Sequence, residues 1–161
     1  MDDKEHGQCS KPVMKDLRFG IKPRRADDCC CWFREFGEPE GHAFKKPRKW
    51  LKFLKDTNGS EQTYYDSVHG KPVFRAPRGR EFVDFIDESE IYRWPSFRDE
   101  EVVWENVRVL EENDDEVVTL DGVHLGFMFN DEDGSRRYCI NLSGIAGETP
   151  ANQDLSENGS W

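Results

Sequence analysis

Apolar and polar positions alternate in several short segments of this chain, and the clearest alternation comes late. From His124 to Asn141 the chain reads HLGFMFNDEDGSRRYCIN. An apolar run to Phe129 is followed by an acidic turn closed by Gly134, and a second run starts at Arg136. Two such runs joined by a Gly-containing loop predict a β-hairpin. Successive strand residues face opposite ways, so Arg137, Cys139 and Asn141 share one face while Tyr138, Ile140 and Leu142 share the other. The second face suits a core. The first, with a guanidinium, a thiol and an amide, does not.

Upstream, Val73-Phe74-Arg75, Glu81 to Ile86, Val102-Val103-Trp104, Val107 to Leu110 and Glu116 to Leu120 read as further short strands. They are separated by Pro77, Gly79, Glu112 to Asp115 and Asp121-Gly122. Many short strands at close spacing predict a mainly β fold of antiparallel sheets. One segment has a different period. Trp50, Phe53 and Leu54 recur at three- and four-residue spacing, Pro47 suits a first helical turn, and Asn58-Gly59 ends the pattern. This predicts a short amphipathic helix near the N-terminal side, packed on the sheet. Residues 1–44 lack sustained periodicity and read as an irregular or disordered arm. Residues 45–149 read as the folded domain and 150–161 as a polar tail.

Composition narrows the picture. A chain of 161 residues suits one domain with a sizeable core, but 35% apolar and 35% charged residues imply that part of it stays outside. The net charge of −10 is uneven: residues 1–80 carry 18 Lys/Arg against 12 Asp/Glu, residues 81–161 carry 5 against 21. An acidic second half argues against nucleic acid as partner, since phosphates need neutralising cations. No run is long and apolar enough to predict a membrane span, and the start lacks a secretory pattern, so no membrane association is expected. Five cysteines, three of them adjacent, do not read as a disulfide framework. A cytoplasmic monomer is expected. Cys29-Cys30-Cys31 before Trp32-Phe33 admits a soft-metal site, a palmitoylation site, a source of a resolving thiol, or an incidental run in a loose arm. Adjacent cysteines converge poorly on one tetrahedral metal, which argues against the first.

Cys139 is the candidate for chemistry. A lone strand cysteine is most often a small hydrophobe, but here the alternation sets it between Arg137 and Asn141, and a nearby cation favours the nucleophilic thiolate. His124 is available from the neighbouring strand.

Three segments then carry a resemblance. Trp94-Pro95-Ser96-Phe97, His124-Leu125-Gly126-Phe127-Met128-Phe129 and Arg137-Tyr138-Cys139-Ile140-Asn141 stand in the order, and at similar spacing, of the signature segments of the B-type methionine-R-sulfoxide reductases. Asn58 to Gln62 is more weakly similar, and the whole spans residues 46–148. The resemblance implies two antiparallel sheets with helices from the N-terminal side. It implies thiol-dependent reduction of methionine-R-sulfoxide, free or in an oxidised protein, through a cysteine sulfenic acid. Its site residues would be Cys139 as nucleophile and Arg137 favouring its thiolate. His124 would protonate the sulfoxide oxygen, Asn141 would fix it, and Trp94 with Phe127 would form the apolar wall. No cofactor is implied beyond an external thiol reductant of the thioredoxin kind.

The chain also departs from that pattern. Positions that hold a structural zinc in many members are Arg75, Arg78, Val118 and Asp121, so a zinc-free, divergent member is implied. Tyr92 stands where a resolving thiol often lies, leaving an external thiol or Cys9, Cys29, Cys30 or Cys31 to resolve Cys139. Phe127 replaces a second histidine and cannot carry a proton. These departures keep an alternative open, a weak or inactive relative serving as a binding module.

Overall fold

The computed structural model describes residues 6–32 and 38–148. The polar tail 150–161 and the aromatic residues Phe33 and Phe36 lie outside them. The fold is mainly β, with two antiparallel sheets and a few short helices. A hairpin pairs β1 (Gln62–Tyr65) with β2 (Pro72–Ala76). The larger sheet has the order β3-β7-β6-β5-β4, formed by β3 (Ser96–Arg98), β4 (Val107–Leu110), β5 (Glu116–Thr119), β6 (His124–Asn130) and β7 (Arg136–Ile140).

Register decides what each face of the larger sheet carries. Directly opposed residues share a face, so one row runs Glu116, Phe127, Cys139, Ser96 across four strands. The next row on that face is Phe129, Arg137, Arg98. The opposite face carries Met128, Tyr138 and Phe97, then Val117, Gly126 and Ile140. The parity expected of Arg137 and Cys139 against Tyr138 and Ile140 is the parity found: the first two are half-buried, the second two fully buried.

The core lies on the Tyr138 face. Phe97 stacks on Phe74 of the hairpin with ring centroids 4.3 Å apart and meets Tyr64 edge-on at 5.5 Å. Such ring pairs add about 0.5–1.5 kcal/mol each beyond their buried area. Helix α2 (Lys49–Asp56) brings Trp50, whose indole N–H donates to the Tyr64 hydroxyl at 3.0 Å. This is the amphipathic helix expected from the lysine and aromatic spacing. It begins two residues after Pro47, because Arg48 adopts a left-handed conformation (φ 53°) ahead of it.

Two segments expected as strands are not. Residues 81–86 open α3 (Phe82–Tyr92). Phe82, Phe85, Ile86 and Ser89 fall at helical spacing; Phe85 and Ser89 are buried, and the other two pack against the core. Over six residues either period fits, and only the continuation to Ser89 favours the helix. Arg93, left-handed at φ 67°, ends it. Val102-Val103-Trp104 follows a tight turn at Asp99–Glu101. The buried Glu101 carboxylate there accepts the backbone N–H groups of Arg78 (2.9 Å) and Arg98 (2.8 Å), pulling the chain round. Val102 keeps a single bridge to Phe74.

The arm is short of regular structure but does not stand apart. Helix α1 (Pro23–Ala26) runs into a wider turn, Asp27–Cys31, and Ile21, Ala26, Cys29 and Cys30 join the core. Cys9 and Cys31 form a disulfide, which the odd cysteine count with three adjacent did not suggest. Adjacent residues on this turn point apart, which lets Cys31 reach Cys9 while Cys30 turns inward. Among the described residues, no helix is long and apolar enough to cross a membrane.

Candidate functional site

The site forms where β7 lies between β6 and β3. Gly126 makes the close approach possible: a Cβ there would sit 2.1 Å from the Cys139 carbonyl oxygen. Across the ladder Phe127 opposes Cys139 on one side and Ser96 opposes it on the other. Trp94 is half-buried, two residues before Ser96, and the Pro95 carbonyl accepts the Ile140 N–H at 2.9 Å. Asn141 is half-buried just after β7, its N–H donating to the Leu125 carbonyl at 2.8 Å.

His124 reaches the same face only through an irregularity. Val117 pairs with Gly126 but Val118 pairs with His124, so Leu125 is an extra residue in β6. A one-residue bulge reverses parity. Without it, His124 and Phe127, three apart, would point to opposite sides. With it, their rings meet edge to face at 5.4 Å. The imidazole is buried, and its Nδ1 lies 2.6 Å from the Glu116 carboxylate, also buried. Burial pushes that carboxyl up, but the hydrogen bond and charge of His124, helped by Asn113, outweigh it and hold it below the usual carboxylate range. A carboxylate on one ring nitrogen fixes the orientation of the imidazole.

Arg137 meets the sulfur. Its Nη1 donates to Cys139 Sγ at 2.9 Å, while Nε donates to Asp131 Oδ1 at 2.8 Å. The arginine therefore both pairs across the turn and touches the thiol. Its effect is nonetheless the weaker one. Burial pushes the Cys139 thiol up, Arg137 pulls it down, Glu88 and Asp131 add to the rise, and the result is pushed up to about 11. Arg137 therefore favours the thiolate, as its place on the strand face predicts, but against a larger opposing effect of burial.

Around this centre runs an ion-pair chain that alternation could not show. Arg80 pairs with Glu101 (2.7 Å) and Glu88 (3.1 Å), Glu88 with Arg98, and Arg98 with Asp131 (3.1 Å), which holds Arg137. Glu88 also accepts the Ser96 hydroxyl at 2.8 Å. The contributing residues come from α3, β3, β7 and three loops or turns, so no single segment carries the pattern. Glu116 left a fainter trace, the last carboxylate of the acidic run from Glu111, heading an apolar strand eight positions before His124 across the Asp121-Gly122 turn.

The arm's thiols are not poised to serve this site. Cys29 and Cys30 are free and buried, Cys9 and Cys31 are joined to each other, and the Cys29 hydrogen bond together with burial pushes the Cys30 thiol well up. Compared with protein-family models, curated proteins and solved structures, the chain matches none.

Proposed function

We propose that the protein reduces methionine-R-sulfoxide, using Cys139 as the nucleophile. The supporting observation is the shared face: a half-buried thiol with a guanidinium on its sulfur, an aromatic ring across the ladder, and a carboxylate-held imidazole against that ring. In this reading the B-type reductase resemblance describes the fold as well as the site. The Cys139 thiolate attacks the sulfoxide sulfur, and the oxygen leaves sulfur for the cysteine with uptake of a proton, giving methionine and a sulfenic acid. Two equivalents of an external thiol then return the cysteine, with a disulfide and water as products. Phe127 and Trp94 offer an apolar wall to the substrate's methyl group. His124 supplies a hydrogen bond toward the departing oxygen, oriented by Glu116.

Incubation of the protein with free and peptide-bound methionine-R-sulfoxide plus dithiothreitol, beside Cys139→Ser, tests this. Turnover that disappears in the variant supports the reading; equal background signals from both proteins overturn it. A second reading, a weak or inactive relative that binds a small group or peptide at the same face, is favoured by a Cys139 thiol that burial makes harder to ionise and by the phenylalanine at position 127.

A further inference from the structure

An arginine on a strand is a long side chain with several rotatable bonds, and pairing register alone does not aim its guanidinium at a residue two positions on. Here it is aimed. The centre of the Arg137 guanidinium lies 3.6 Å from the centroid of the Tyr92 ring and 4.9 Å from that of Phe129. Phe129 is its strand partner on β6. Tyr92 is not; it is the last residue of α3, which packs along β3. Asp131 holds the same guanidinium through Nε. The two supports differ in kind. A carboxylate fixes the cation and partly neutralises it toward the sulfur, whereas a ring face attracts it by its quadrupole and leaves its charge intact.

We propose that Tyr92 is a positioning residue whose ring holds the Arg137 guanidinium against the Cys139 sulfur and so governs how readily that thiol reacts. This rests on the reading of Cys139 as the reacting nucleophile. It assigns a role to the residue standing where the resemblance would place a resolving thiol: a clamp in place of a second sulfur. Tyr92 is partly exposed at a helix end, so its replacement spares the core.

The test is the rate of Cys139 alkylation by iodoacetamide across the range from about pH 7 to about pH 9, below the thiol's ionisation, where rate tracks the thiolate fraction. The full chain is used with its disulfide intact, and peptide mapping confirms the modified cysteine. Tyr92→Leu is expected to slow alkylation about two- to fivefold at each pH, the size of an exposed cation–π contact, and Tyr92→Phe to restore the parent profile. In an Arg137→Met background Tyr92→Leu is expected to change nothing further, since the two act as one unit. Unchanged alkylation in Tyr92→Leu, or equal slowing with and without Arg137, overturns the role. Tyr92→Ser, run in parallel with melting curves, gives the same readout should the leucine variant fold poorly. Sulfoxide reduction is measured on the same samples. A flat reductase assay with the alkylation effect present overturns the reductase reading and leaves the clamp standing; the reverse pattern removes the clamp and leaves the reductase reading.

Discussion

Two groups of cysteines in this chain show how surroundings, not residue type, set what a thiol can do. At Cys30 the sulfur is enclosed: a Cβ on Gly144 would come within 3.1 Å of it and within 3.2 Å of the His124 carbonyl oxygen. Its neighbour Cys31 is spent in a disulfide to Cys9. At Cys139 the sulfur is half-buried and touches a guanidinium. The first group behaves as packing and a cross-link, the second as a candidate nucleophile. Cys30 and Cys139 both have thiols pushed up by their surroundings, so ionisation alone does not separate them. Access and a charged partner do.

The contrast can be broken by substitution, and the largest effect is expected at the cross-link. Cys9→Ser removes a bridge spanning 22 residues and should cost about 3 kcal/mol in denaturant melts; a loss under about 0.5 kcal/mol would mean that the arm is held by packing alone. Next is Cys30→Ser, which replaces a fully buried thiol in the core by a smaller, more polar hydroxyl and should cost about 1–3 kcal/mol. The same change at Cys139 should move stability by no more than about 0.5 kcal/mol while abolishing iodoacetamide labelling of the native protein. If Cys30→Ser is neutral and Cys139→Ser unfolds the chain, the assignment of roles is reversed.

A finer test uses pH. Because the folded-state pKa of Cys139 is pushed up to about 11, labelling should climb roughly tenfold per pH unit through the neutral range. The sign for stability is opposite: protonation is favoured in the fold, so this contribution is present below the unfolded thiol's ionisation and is lost as pH rises toward the folded value. Glu116 runs the other way. Its folded-state pKa is lowered, so its pairing with His124 stabilises above the ordinary carboxylate range and is lost as pH falls through the lowered value. Glu116→Gln should therefore flatten the acid limb of the stability curve; an unchanged limb would show that the pair contributes nothing there.

Strand parity in β7 was open to inspection because the side-chain period of a strand is two, a local and rigid rule. For the same reason Val107 to Leu110, Glu116 to Thr119 and the 124–140 hairpin could be read directly, as could α2, whose buried Trp50 and Leu54 sit four apart. The error at 81–86 came from a window too short to distinguish two periods. The error at 29–31 came from treating irregular chain as loose chain. Irregular backbone can pack well: the buried Glu38 carboxylate accepts the N–H groups of Leu142 and Ser143 at 2.9 and 2.7 Å.

By itself the sequence determined which face of β7 carries Arg137 and Cys139, since covalent geometry forces alternate side chains apart. Only the tertiary structure decided that a bulge at Leu125 turns His124 onto that face. It alone decided that α3 lays Tyr92 over Arg137 and that Cys9 closes on Cys31. Those outcomes depend on where distant segments meet, and no local period encodes a meeting between residues 22 or 45 positions apart.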